Sequence, residues 1–197
     1  DKSGVNYAQP VEFYSPNIKI NHLEAIFYDQ WGEEIKKFKE KDFIDQSYIP
    51  NGQMYVDYRV KYLNYVPTHY PYTVHIKSEI TNSNTSIPSW NPLSRDNVGI
   101  EMSTFTINNP KNLKIHFKES NLANYGIESQ NASNTKIHYE VKNQKPHTLE
   151  DLMPVYSQIF PHVDFSVEEF EIDGVKGKFS NWNEMGKWYN TLLTNSN

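Results

Sequence analysis

The sequence predicts an all-β fold, an antiparallel β-sandwich of about eight or more strands with a short C-terminal helix. The composition is rich in aromatic residues, with 14 tyrosines, 10 phenylalanines and 4 tryptophans, and contains only 8 glycines. Aromatic and β-branched residues favour strands. Several short segments alternate apolar with polar residues, and turn signals recur about every 8 to 15 residues. Only the final segment has the spacing of a helix.

The first predicted strands lie in residues 17–41. Apolar residues alternate with polar ones over 17–28, and a turn at 29–32 leads into a second strand at 33–39. The lysines of 36–41 would also suit a charged helix face. A solvated edge strand is the better interpretation, because lysines on an edge strand block pairing with another edge.

The middle of the chain predicts two more strands. A turn at 50–52 (PNG) precedes a strand at 54–63, and residues 72–81 show the clearest alternation in the chain. Residues 82–92 form a loop in which Trp90 lies between two prolines. Because each proline restricts its own backbone and that of the residue before it, we expect a stiff extended segment that buries the indole between sheets.

The second half of the core continues the strand pattern. Alternating segments at 98–107 and 113–118 flank a turn at 108–110, which predicts a hairpin. Residues 121–134 predict a poorly packed polar loop with a short strand inside it, and residues 137–141 predict another strand. From residue 145 onward prolines limit regular structure, and an extended segment leads to a turn at Asp173-Gly174.

The C-terminal segment 179–197 predicts an amphipathic helix. Asn181 is the expected N-cap, and Glu184 three residues later would complete a capping box. We expect the first part of the apolar stripe to fold back on the sandwich, and the rest to contact a downstream domain. The chain would then divide into a sandwich at 1–178 and a joining helix at 179–197. The predicted interdomain contacts are Trp182, Met185, Trp188, Tyr189, Leu192 and Leu193.

Composition narrows the classes of partner. The 24 acidic and 19 basic residues are interspersed and give a formal net charge of −5, which does not favour nucleic acid. There is no cysteine, so disulfides and thiolate chemistry are excluded. No run of about 18 apolar residues predicts a membrane span. We expect no cofactor, and weak self-association through the C-terminal helix is one way to cover its stripe.

The sequence shows no catalytic motif. The seven histidines lack the spacing of a metal site, and His75, His116, His138, His147 and His162 are predicted to be solvated. Neighbouring carboxylates such as Glu168-Glu169 point to opposite faces of a strand and are predicted to be surface charge. No serine lies in a Gly-x-Ser-x-Gly motif. We therefore expect no catalytic residue and no metal site.

Aromatic side chains are the remaining candidates for binding. Trp90, Tyr70 and Tyr72 could stack on sugar rings, although core packing explains the tyrosines at least as well.

Several segments together resemble one family. They are LEAIFYDQWGEEIKKFKEKDFID (23–45), YVDYRVKYLNY (55–65), HYPYTVHIKSEI (69–80), IPSWNP (87–92), IEMSTFTI (100–107), LEDLMPVYSQIFPHVDFS (149–166) and GKFSNWNEMGKWYNTLL (177–193). In this order they resemble family 3857 of the domains of unknown function, which precedes transglutaminase-like domains in exported proteins of Gram-negative bacteria. The Cys, His and Asp of such a catalytic domain would lie outside this chain, so the resemblance carries over no catalytic residue.

Two functions follow as expectations. The resemblance implies a non-catalytic accessory domain, exported to the periplasm or the cell surface, that packs against or positions a transglutaminase-like (papain-like) domain in cis. The alternative is a surface-exposed module that binds carbohydrate or peptide through the tyrosine-rich strands or the Trp90 loop. The first should expose its best apolar patch on the C-terminal helix, and the second should present aromatic rings elsewhere.

Overall fold

The computed structural model describes residues 2–49, 57–128, 135–148 and 150–194. It divides into two compact units, 1–83 and 84–197, which are described separately. All strand pairs in the described part of the chain are antiparallel. The predicted antiparallel all-β class with a short C-terminal helix is confirmed.

The described residues of the first unit form six strands in two sheets. One sheet has the order β3-β2-β6 and the other β1-β5-β4. Short 3-10 helices occupy Lys2–Tyr7 and Glu40–Asp42. The strands are β1 (Val11–Tyr14), β2 (Ile18–Tyr28), β3 (Glu34–Lys39), β4 (Ile44–Ser47), β5 (Arg59–Tyr62) and β6 (Thr73–Asn82).

The core of the first unit forms on one face of β2. Leu23, Ala25 and Phe27 alternate along this face and are almost completely buried, together with Phe43 and Leu63. The strands predicted at 17–28, 33–39 and 72–81 are confirmed as β2, β3 and β6, and β3 is an edge strand as expected. The predicted turn at 50–52 lies outside the described residues.

The described residues of the second unit form six strands in three antiparallel pairs, followed by a helix. The pairs are β7-β9, β8-β10 and β11-β12. A 3-10 helix occupies Ala123–Tyr125. The elements are β7 (Ile100–Asn108), β8 (Ile115–Ser120), β9 (Lys136–Gln144), α1 (Tyr156–Ile159), β10 (His162–Val167), β11 (Glu169–Ile172), β12 (Val175–Lys178) and α2 (Trp182–Thr194).

The hairpin predicted around residues 108–110 is wrong. Its two strands exist, but β7 pairs with β9 and β8 pairs with β10. The buried Asn109 side chain accepts a hydrogen bond from the Leu113 backbone and donates one to the Leu113 carbonyl, at 2.9 and 2.8 Å. These bonds satisfy part of the backbone of the connection, and the two strands that it joins pair with other strands rather than with each other.

The core of the second unit lies between these two strand pairs. Phe105 of β7 stacks on Phe165 of β10 with a centroid distance of 5.2 Å, and Trp90 stacks on Tyr139 of β9 at 5.5 Å. Side chains from two sheets that meet in this way form a sandwich core. Trp90 is only 5% exposed, so its predicted burial between sheets is confirmed.

The loop after β8 is better packed than predicted. Over its described part, residues 121–128, it contains a 3-10 turn and no strand. Leu122 and Ile127 are both buried in the core of the second unit. The polar composition of the loop did not indicate this packing, which a few apolar side chains of its described part supply.

A tight hairpin leads to the helix. Asp173 and Gly174 both have positive φ, 51° and 79°, as a type I′ turn between β11 and β12 requires. Asn181 Oδ1 accepts a hydrogen bond from the Glu184 backbone at 3.0 Å, which confirms the predicted N-cap. The Glu184 carboxylate instead accepts from the backbone and hydroxyl of Ser180, one residue before the cap. No helix in the described residues is long and apolar enough to span a membrane.

Candidate functional site

The inner face of α2 rests on the β11-β12 hairpin. The Trp188 indole meets the Phe170 ring edge to face, with centroids 4.9 Å apart. A Cβ atom on Gly177 of β12 would lie 2.7 Å from Trp188 Cδ1 and 2.6 Å from Phe170 Cζ. The glycine therefore allows the two rings to lie directly over the strand, and any larger residue there would displace them.

We expected Trp182, in the first part of α2, to pack on the sandwich and Trp188 to face outward. The structure shows the reverse. Trp188 packs inward and Trp182 is 80% exposed, with a ring contact to Phe179 at 5.7 Å. Residues 184, 188 and 192 are the partly buried positions of the helix, one turn apart. The absence of a side chain at Gly177 leaves space for the Trp188 indole, and a helix that places Trp188 there turns Trp182 outward.

A second apolar stripe runs along the outside of α2. Its members follow spacings of three and four and therefore share one side of the helix. The exposed fractions are 80% for Trp182, 38% for Met185, 57% for Tyr189 and 55% for Leu193. We call these four residues the outer stripe. Leu192, the remaining residue of the predicted contact set, is partly buried on the inner face.

An apolar cavity of about 280 Å³ lies beside the inner face. Its walls include Phe165, Phe170, Phe179 and Trp188, and Met185 of the outer stripe also lines it. The outer stripe and the cavity are therefore continuous through Met185. This arrangement suits apolar side chains of a partner rather than a reaction, since aromatic and aliphatic groups form most of the wall.

The Glu168 side chain is buried, contrary to its predicted exposure. It lies between β10 and β11 at 8% exposure. The distances to its carboxylate oxygens are 2.5 Å from Lys114 Nζ, 3.5 Å from His116 Nε2 and 3.5 Å from Lys178 Nζ. The break between the two strands turns Glu168 inward, whereas Glu169 remains exposed. The burial of Glu168 was not predicted, because the two carboxylates were expected to be neighbours on one continuous strand.

The Glu168 cluster predicts a dependence of stability on pH. The hydrogen bond from Lys114 is the main cause that lowers the pKa of the Glu168 carboxyl below its ordinary value of 4.5, although burial acts in the opposite direction. A lowered pKa stabilises the folded state fully above 4.5, and this stabilisation is lost as the pH falls through the folded value. Wild type should therefore be more stable than Glu168→Gln at pH 7, and the difference should shrink below pH 4.5.

Urea unfolding across this pH range measures the effect. Glu169→Gln is the matched control, because its more exposed carboxylate pairs only with Lys178, at 3.3 Å, among the ion pairs of the described residues. It should show a smaller difference. Equal pH profiles for the two variants would contradict the role assigned to Glu168.

Three of the five histidines predicted to be solvated are less exposed than expected. His162 is buried at the start of β10, with Nδ1 3.2 Å from the Phe160 carbonyl. His147 is partly buried against the Phe160 ring, at a centroid distance of 4.2 Å. His75 and His116 are exposed as predicted, and His138 is partly buried beside Thr106. The described residues contain no cluster of His, Asp and Glu able to hold a metal ion.

The aromatic candidates for ligand binding occupy different environments. The Trp90 indole donates to Ser103 Oγ at 3.1 Å inside the core, and Tyr72 packs against Phe27. Tyr70 is 36% exposed. Sequence reasoning passed over Trp31, which is 78% exposed beside an open cleft of about 510 Å³. Its position in the 29–32 turn could have predicted this exposure, because side chains at the tip of a turn face solvent.

Comparisons with known proteins agree with this architecture. A solved structure with a similar fold is described as a putative protease from Parabacteroides distasonis ATCC 8503, with a TM-score of 0.58 and 14% sequence identity. The match covers 84% of this chain but only 34% of that one. A search of curated proteins found no match. The model of the family described as a domain of unknown function with solved structure, DUF3857, matches residues 1–148 of the 197. The chain therefore belongs to the DUF3857 family.

Proposed function

We propose that this chain is a non-catalytic accessory domain that packs against a neighbouring catalytic domain through the outer stripe of α2 and so positions it. The observation that carries the proposal is the stripe itself. Its four large apolar side chains lie on one side of a helix whose other side already packs on the β11-β12 hairpin. Apolar surface of this kind typically marks an interface.

The chemistry of the described residues supports an accessory role. The tightest charged cluster, around Glu168, is a set of ion pairs in which lysines neutralise the carboxylate. Such a network stabilises the fold and offers no free acid and base pair. The cavity beside α2 is lined mainly by aromatic and aliphatic groups, which fits a packing surface.

The comparison with the P. distasonis protein supports the arrangement of domains. A fold like that of this chain makes up about a third of a longer protein described as a protease. The family resemblance read from the sequence adds the type of partner that we propose, a transglutaminase-like (papain-like) domain in cis. Export to the periplasm or the cell surface is part of the proposal only through the family resemblance read from the sequence.

A carbohydrate- or peptide-binding module receives less support. The Trp90 ring packs in the core of the second unit, and the Tyr72 ring packs against the core of the first. Of the three candidates, Tyr70 alone is substantially exposed. A sugar platform needs ring faces open to solvent.

Hydrogen exchange tests the proposal. Residues 186–193 should exchange more slowly in a longer parent protein that continues past residue 197 than in this chain alone, because the partner domain covers the outer stripe. Trp182→Ser and Tyr189→Ser should remove this extra protection. Lys187→Ser is the matched control, since Lys187 is an exposed polar residue of the same helix.

Two results would contradict the proposal. Equal exchange of residues 186–193 in the two proteins would show that no domain covers the stripe. Amine transfer or peptide hydrolysis by this chain alone, abolished by a point substitution within it, would overturn the non-catalytic assignment.

A further inference from the structure

The β6 strand ends its sheet and exposes a long edge. The sheet order is β3-β2-β6, and β6 pairs only with β2 in the described part of the chain. Every residue of β6 except Val74 is exposed. A long, exposed edge strand is a template for pairing with another strand.

The side of the sheet that faces the core continues onto β6, where its apolar side chains are exposed. Ile80 lies opposite Ile20 of β2, and Ile76 lies opposite Ala25. Ala25 is completely buried, yet Ile76 and Ile80 remain 40% and 47% exposed. One more strand beside β6 would continue the sheet and place its own side chains against both isoleucines, and burial of this apolar surface favours the pairing.

The residues of β6 are complementary to a second copy of β6 in one antiparallel register. When Ser78 lies opposite Ser78 of the second copy, Lys77 faces Glu79 at two symmetric positions, and Ile76 faces Ile80 at two more. Opposite charges and apolar pairs directly across strands both stabilise a sheet.

Neighbouring registers lack this complementarity. Moving the centre by one residue places Lys77 opposite Lys77 or Glu79 opposite Glu79, and like charges in these positions destabilise a sheet. Registers centred between two residues would put the isoleucines opposite polar side chains on the wrong face, because side chains alternate along a strand. The pattern therefore selects one two-fold symmetric arrangement.

We infer that β6 is a homodimerisation edge, which joins two copies of the chain through antiparallel β6-β6 pairing about Ser78. The joined sheet would have six strands, three from each copy. The two-fold axis passes between the two Ser78 residues, perpendicular to the sheet, and therefore keeps the core faces of both copies on the same side of the joined sheet. The contact is smaller than a standard protein interface, so the dimer should be weak and depend on concentration.

Charge reversal at Lys77 and Glu79 provides the test. Sedimentation equilibrium of the full chain over roughly 1 μM to 1 mM should show a reversible monomer–dimer equilibrium. Lys77→Glu or Glu79→Lys alone creates two like-charge pairs and should weaken the dimer about tenfold to a hundredfold. The double variant K77E/E79K restores both pairs and should dimerise like wild type.

Mixing the two single variants distinguishes a loss of charge pairing from a folding defect. The separate Lys77→Glu and Glu79→Lys proteins should form a heterodimer when combined, because each then faces the opposite charge. Circular dichroism verifies that each variant is folded. A chain that stays monomeric up to about 1 mM would overturn the inference. So would a dimer unaffected by both reversals but lost in Tyr189→Ser, since that result would place the contact on the outer stripe.

Discussion

Replacing Trp90 with alanine is expected to lower the free energy of unfolding by about 3 to 5 kcal/mol. The indole stacks on Tyr139 and donates a hydrogen bond to Ser103 Oγ. Its backbone also pairs with Val163 through two hydrogen bonds of 2.9 and 3.0 Å. Alanine would keep the backbone pairing but leave a large cavity between the two strand pairs. The cavity and the lost apolar burial together account for the expected cost.

Urea unfolding followed by circular dichroism measures this change without relying on tryptophan fluorescence. Trp182→Ala is the matched control, because the same side chain is removed from a position that is 80% exposed. Its effect should stay within about 0.5 kcal/mol. If the two variants lost similar amounts of stability, the Trp90 side chain would not hold the core of the second unit together.

Replacing Phe27 with alanine should have a similarly large effect, about 3 to 5 kcal/mol, in the first unit. Phe27 is 1% exposed. Its ring lies at centroid distances of 4.8 Å from Tyr65 and 5.9 Å from Phe38. Among the ring contacts of the described residues, no other side chain of β2 meets so many aromatic neighbours, so its removal should loosen the whole aromatic cluster.

Amide exchange locates this effect as well as measuring it. In Phe27→Ala, exchange should accelerate in β2 and in β6, its hydrogen-bonded neighbour. Trp31→Ala is the control in the same unit, because Trp31 is 78% exposed at a turn, and its effect should be within about 0.5 kcal/mol. Unchanged protection of β2 in the Phe27 variant would contradict the assignment.

Local sequence patterns determined much of this protein. The alternation of residues 72–81 predicted β6, and the spacing of Trp182, Met185 and Tyr189 predicted α2. Asn181 predicted the start of the helix, and the prolines around Trp90 predicted its burial. These features depend on neighbours within a few positions along the chain. The order of degenerate segments was enough to indicate the family, which the match over residues 1–148 confirmed.

Tertiary structure decided everything that depends on residues distant in sequence. β7 pairs with β9, which lies well beyond β8 in the chain, and not with β8, which directly follows it. Glu168 is buried because a strand break brings it to Lys114, more than fifty residues earlier in the chain. The inward tryptophan of α2 is Trp188, because Gly177 leaves space for one indole. Periodicity identifies which residues share a face, but only packing against distant partners decides what covers that face.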